Sequence, residues 1–178
     1  MKFDMESKRL TFTKLNERDW DLFRSIHTNP GLMQHIRTLR SEEAIRNAFE
    51  KELDPWSLES SHWLTWIIRE KTSSKQVGLI SICSCKRAKR IAEVGFILLE
   101  AYQGKGYATE AVKCVIKFAV DAFSFERFIA VCSEEHLASR RVLEKVGMML
   151  DEIVPENTEI NGRLVNDCFY SLEIAVKN

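Results

Sequence analysis

The residues whose types and spacing most plainly suit chemistry lie in one stretch, Gln103-Gly-Lys-Gly106-Tyr-Ala108-Thr109. It follows the apolar run Ile91–Leu99 and opens a segment with Ala108, Ala111, Val112, Val115, Ala119 and Ala122 at helical spacing. A strand, a two-glycine turn and a helix in that order aim main-chain N–H groups and a positive helix end above the strand. A phosphate-bearing ligand suits such a place. Gly104 and Gly106 allow unusual φ values and close approach of a ligand to the backbone, and Lys105 adds a flexible cation. An ordinary turn between a strand and a helix has the same two glycines, so both readings stand at this point.

The known phosphate signatures do not fit. No glycine-rich segment ends in Gly-Lys-Ser/Thr, and Thr109 stands where a dinucleotide fingerprint needs glycine. The pattern Gln/Arg-x-x-Gly-x-Gly/Ala does fit, read here as Gln103-Gly-Lys-Gly106-Tyr-Ala108. It resembles the acetyl-CoA pyrophosphate loop of the GNAT acetyltransferase superfamily. The fuller string Gly-Lys-Gly-Tyr-Ala-Thr-Glu-Ala is similar to the branch that acetylates N-termini of ribosomal proteins. A second segment, Ser133-Glu-Glu-His136-Leu-Ala-Ser139-Arg-Arg-Val-Leu-Glu-Lys-Val-Gly147-Met, resembles the family's Asn-x-x-Ser-x-x-Val-Leu-Glu-Lys-x-Gly-Phe. His136 replaces the usual Asn and Met148 the usual Phe.

The resemblance implies direct acetyl transfer from acetyl-CoA to a primary amine, with no covalent enzyme intermediate. It assigns cofactor binding to Ile97, Leu98, Leu99, Gln103, Gly104, Lys105, Gly106, Tyr107, Ala108, Thr109, His136 and Ser139. A bulge in the strand before the loop is expected to turn backbone groups toward the pantetheine arm, with the Ile97 N–H as oxyanion donor. Glu93, ten residues before Gln103, matches the place of a catalytic glutamate in some members, and Ser139 matches the proposed proton donor to sulfur. Leu143 occupies the position of the tyrosine acid found in many members. The acceptor is left open between a protein N-terminus and a small molecule such as a polyamine or antibiotic. So is a CoA-binding regulatory module without catalysis.

These residues need a frame. Arg9–Leu15, Trp63–Arg69, Val77–Cys83, Ile91–Leu99 and Phe128–Cys132 read as strands, and Asn161-Gly162 is a hairpin turn closing the chain with two more. Asn16 with Asp19 resembles a capping box for a helix through about Thr28. Pro30-Gly31 breaks it, and Ser41 caps another through about Glu52. Strands alternating with helices and ending in a hairpin predict an α/β (α+β) fold, a mixed sheet covered by helices. The family fold adds that this sheet is mostly antiparallel, of about seven strands, with splayed central parallel strands. The amine is expected to come in between segment 20–52 and the hairpin. Trp56 is a candidate wall there, near Trp63 and Trp66, and the acids Glu42, Glu43, Glu50 and Glu52 could draw in a cationic amine or be the solvated face of a surface helix.

The composition fits one domain over all 178 residues, long enough to bury roughly 70% of its unfolded surface. With 26 basic and 26 acidic residues, no basic face for nucleic acid is expected. The one basic run, Lys86-Arg-Ala-Lys-Arg90, reads as a solvated hairpin loop. Cysteines 83, 85, 114, 132 and 168 are odd in number and lie mostly in apolar runs, so reduced thiols are expected and no metal site. Without a membrane-length apolar run or a signal-like N-terminus, the expectation is a cytoplasmic protein, monomer or homodimer, with no membrane partner.

Overall fold

Period-two apolar residues and well-formed turns build one sheet, and the helices between its strands cover both faces. The structure is a computed structural model that describes residues 3–85 and 90–175. The strands are β1 (Met5–Glu6), β2 (Leu10–Lys14), β3 (Leu64–Glu70), β4 (Gln76–Ser84), β5 (Ile91–Leu98), β6 (Arg127–Ser133), β7 (Met149–Ile160) and β8 (Arg163–Glu173). The helices are α1 (Trp20–His27), α2 (Pro30–Met33), α3 (Glu42–Leu53), α4 (Tyr107–Phe123) and α5 (Leu137–Lys145). The sheet has eight strands in the order β1-β2-β3-β4-β5-β6-β8-β7, one more than expected. The addition is β1, a two-residue edge on β2 too short to leave a periodic signal.

Alternation sorts the core. Trp66, Ile68, Ile80, Ile82 and Val94 face one side, against Ala111, Val112, Val115 and Ala119 of α4. Ile67 and Leu79 face the other, under Phe23, Ile26, Met33, Ile45 and Phe49 of α1–α3. Each fully buried Val or Ile in these layers contributes on the order of 2 kcal/mol. Trp56 belongs to the first layer: it is buried beside Phe123, and its indole N–H donates to the His62 carbonyl. This overturns its assignment to the acceptor pocket. Asn161 (φ 53°) and Gly162 (φ 78°) form the expected hairpin turn.

Among the described residues only β5 and β6 run parallel, and their pairing stops early. Ile91, Ala92 and Glu93 face Arg127, Phe128 and Ile129; beyond Glu93 the two strands are not paired with each other. The register of β5 on β4 is continuous from Ala92 to Leu98, so the expected bulge in β5 is not found there. The irregularity lies one strand away, between β3 and β4, where Ile68 meets Gly78 and Arg69 meets Gln76. Among the described residues no helix is long and apolar enough to cross a membrane. Residues 86–89 of the basic run lie outside the described residues, while Arg90 pairs with Glu126. No disulfide joins the cysteines among the described residues.

Candidate active site

Helix beginnings explain the loop. The side chains of Asn16, Asn29 and Ser41 each accept a backbone N–H at the start of their helical turns. Gly106, which starts α4 with φ 78°, has no side chain to do so. The first intrahelical bond there is from Glu110 N–H to the Gly106 carbonyl, 3.1 Å. The amides of Tyr107, Ala108 and Thr109 precede it and have no acceptor within the helix. A Cβ on Gly104 (φ 72°) would meet nothing within 4 Å, so the loop surface is open to an anion. The side chains of Tyr107 and Ala108 are buried in the core, so these residues offer main chain only.

Two residues shape this loop from afar. Arg9 donates to the Lys105 carbonyl (3.0 Å), pairs with Glu110 (2.7 Å) and lies 4.4 Å over the Tyr107 ring. Gln103 donates its side-chain amide to the Leu98 carbonyl (3.0 Å), joining the loop to the end of β5. Gln103 therefore supports the loop from its side chain rather than presenting that group to a ligand.

Strand parity decides which β5 amides are available. Bonds from Cys85 N–H to Ile91 and from Leu99 N–H to Val77 set the alternation of the β4–β5 ladder. Ile97, opposite Leu79, falls on a bonded pair, so its N–H and carbonyl point toward β4. The Ile97 carbonyl lies 2.2 Å from where a Cβ on Gly78 would sit, so only glycine lets the two strands meet there. The expectation of Ile97 as oxyanion donor is corrected: its N–H is taken up by the ladder, as is that of Leu99. By the same alternation the amides of Phe96 and Leu98 face the gap between β5 and β6.

That gap opens into a cavity of about 590 Å³. Val94–Ile97 of β5 and Ala130–Ser133 of β6 line its two sides, and His35, Ile36, Arg37 and Arg40 line it from the segment joining α2 to α3. That segment is fastened to the closing hairpin by a bond from Asn161 N–H to Thr38 Oγ1, 2.7 Å. Glu93, the last paired residue of the parallel ladder, stands where the strands part and lines the cavity. Burial holds its carboxyl above the usual range. Ser139 is buried and lines the same cavity beside the Cys132 thiol, which burial and then Cys168 push up to about 11. His136 lines it too; its ring stacks on His35 at 5.0 Å, and burial with His35 lowers its pKa to about 4. The ring is neutral and makes no capping bond to α5.

The cavity also holds Glu52, one of the four acids expected at the amine entrance, with Trp63 and His62. Glu52 accepts from Thr65 Oγ1 at 2.6 Å, and Thr65 shares a 2.7 Å bond with Ser81. Burial drives the Glu52 carboxyl up to about 7. Glu52 was in view as one of four surface acids, yet only it lines the cavity, whereas Glu42 pairs with Arg24 outside. Trp63 takes the wall role expected of Trp56, its ring 3.7 Å from where a Gly95 Cβ would sit. The buried His62 Nε2 has no partner among the described residues and belongs to a cavity-lining side chain. Gly78 had a readable signal, since a lone glycine inside an apolar strand marks close backbone approach; Arg9 and Arg37 had none.

Known proteins share this fold. The chain is 35% identical over 92 residues to "Probable N-acetyltransferase YjcK" of Bacillus subtilis, a match spanning 51% of each, about half the relative's length. Its fold superposes on apo RimL, a ribosomal L7/L12 α-N-protein acetyltransferase, with TM-score 0.82 and 18% identity over 98% of this chain and 96% of that one. It superposes equally on spermidine N-acetyltransferase from Vibrio cholerae, crystallised with CoA and spermine, with TM-score 0.81 and 16% identity over 94% and 96%. Residues 9–149 match the family described as the acetyltransferase (GNAT) domain, and the chain belongs to that family.

Proposed function

We propose that this protein is an N-acetyltransferase that moves an acetyl group from acetyl-CoA directly to a primary amine, with a peptide α-amino group as the first acceptor to test. One observation carries the reading. Among the described residues the one parallel pair of strands parts after Glu93, the gap opens into a cavity with the half-buried Glu93 carboxylate at its vertex, and α4 starts uncapped in the loop that follows β5. Two of the fold's neighbours act on a protein N-terminus and on spermidine, so fold alone does not choose the acceptor.

Acetyl-CoA, when bound, supplies an activated carbonyl and a thiolate leaving group. The amides of Tyr107, Ala108 and Thr109, with Lys105, hold its diphosphate through the positive end of α4. The gap-facing amides of Phe96 and Leu98 steady the pantetheine arm and donate to charge growing on the carbonyl oxygen. Gln103 holds the Leu98 carbonyl, whose peptide unit also gives the Leu99 N–H to Val77, and so fixes the end of β5. Glu93 takes the amine proton, its raised carboxyl being a better base than a solvated one. Neutralising an α-amine of pKa near 8 costs about 1 kcal/mol at pH 7, against about 4–5 for a lysine. Glu93 thus matters least for a peptide N-terminus and most for a more basic amine. Ser139 hydrogen-bonds the departing sulfur, with His136 as a neutral neighbour one turn earlier.

The test is thiol release from acetyl-CoA with a panel of peptides, polyamines and free amino acids, beside calorimetry with CoA. Turnover of an amine with tight CoA binding supports the reading. Binding without turnover on any acceptor converts the protein into a CoA-binding module, and no binding removes the loop from the site.

A further inference from the structure

The charges in the cavity are not evenly spread. Glu93 stands at the vertex of the parted strands, and no cation among the described residues acts on it. Arg37 and Arg40 line the other side, from the segment between α2 and α3. Every other arginine named so far is engaged: Arg9 with Glu110, Arg24 with Glu42, Arg69 with Asp19, Arg90 with Glu126, Arg127 with Asp151 and Arg163 with Glu135. The guanidiniums of Arg37, which is half-buried, and Arg40, which is exposed, make no ion pair or side-chain hydrogen bond with any described residue. Their field is felt nearby: His27 is held down to about 4 by burial and by both guanidiniums. Lys51 adds a third cation to the lining.

The acids facing this patch do not cancel it. Glu52 acts on Arg37, but without contact, and its carboxylate is engaged by Thr65. Asp167, on the hairpin side, already accepts from Asn157 (2.8 Å) and Thr158 (2.6 Å). A half-buried guanidinium beside a second one and short of a partner is costly unless an anion arrives. A polyamine would bring more positive charge to this end and lose affinity.

We propose that Arg37 and Arg40 form an anion subsite in the acceptor pocket, so that the amine acetylated here carries a carboxylate on its own chain. This rests on the acetyltransferase reading, because the amine must reach Glu93 while the anion reaches the arginines. The zwitterionic acceptor is then oriented by its two ends, and spermidine is a poor substrate.

Calorimetry tests it on the whole protein, with and without CoA. The probes are the peptide amides Ser-Glu-Ala and Ser-Gln-Ala, serine with its carboxyl free or amidated, and spermidine. Expected is an acid form bound at least about tenfold tighter than its neutral twin, with spermidine weakest. A preference confined to the peptide pair locates the carboxylate on a side chain; one confined to serine locates it on the α-carbon. Arg37→Gln and Arg40→Gln together should shrink the preference to within about twofold and leave CoA affinity unchanged. Equal binding of both twins, spermidine binding tightest, or a preference that survives the double substitution would overturn the subsite. Wild-type protein that fails to bind CoA would instead refute the acetyltransferase reading, and the peptide comparison on unliganded protein would still decide the subsite.

Discussion

The two parallel strands each run into a helix, and the two junctions differ in kind. After β5 comes an exposed loop whose Gly104 and Gly106 both adopt positive φ, with α4 starting on bare amides. After β6 the chain passes through Ser133 and His136 into α5, which also lacks a side-chain cap but is walled by buried or half-buried groups. The first junction suits a charged, solvated group that needs many amides and no side chain. The second, inside the cavity, presents a serine, a neutral imidazole and a thiol, which suit hydrogen bonds to uncharged or developing charge. One splayed pair of strands thus divides gripping from chemistry.

The largest effect should come from breaking the first junction. Gly106→Glu puts a carboxylate at the amides that would receive the diphosphate, and its Cβ lies 3.5 Å from Arg9. CoA affinity by calorimetry should fall by more than about 100-fold, whereas Gly106→Ala should lose only the roughly 1–2 kcal/mol of a strained left-handed residue. Equal losses in the two variants would mean that charge has no part in the effect. The second junction and its vertex should respond in turnover instead. Glu93→Gln should lower kcat about 100-fold for a basic amine, with CoA affinity kept. Wild-type rate should climb as pH rises through the raised Glu93 pKa, and the variant should lose that limb. An unchanged pH–rate profile would take Glu93 out of the proton transfer. Ser139→Ala should cost about tenfold or less in kcat, since a serine hydroxyl is a modest acid; a change in CoA affinity alone would make it a binding residue.

What could be read beforehand follows the range of the forces involved. The Asn161-Gly162 turn, the Asn16–Asp19 capping box and the apolar stripe of α4 are local, and each was legible from adjacent residues. The glycine loop was legible for the same reason. Ile97 was misassigned because amide direction depends on ladder parity, which the neighbouring strand sets. Trp56 and Trp63 changed places because the six residues of irregular chain between them leave no period to follow. Arg9 reaches Lys105 across 96 positions and Glu52 reaches Thr65 across 13, so neither contact had a sequence signature.

Glu52 gives the subtlest contrast between the two regions, because its effect is on stability. Its carboxyl holds a proton up to about pH 7 when folded and up to about 4.5 when unfolded. Between those values the folded state binds more protons, so stability must fall as pH rises from about 4.5 to about 7. A full shift of that size would carry roughly 3 kcal/mol, but partial exposure and Arg37 reduce the expected loss to about 1. His27 and His136, both lowered to about 4, act the other way: they favour the folded state increasingly as pH rises from about 4 to 6.5. Wild type alone therefore shows only the sum. Glu52→Gln keeps an acceptor for Thr65 and leaves both histidines and Glu93 in place, so subtracting its denaturation curves from those of wild type isolates one carboxyl. The variant should gain stability relative to wild type between pH 5 and 8, by about 1 kcal/mol. Parallel curves across that range would mean that Glu52 titrates as a solvated acid and that the Thr65–Ser81 chain ends in solvent rather than in the cavity.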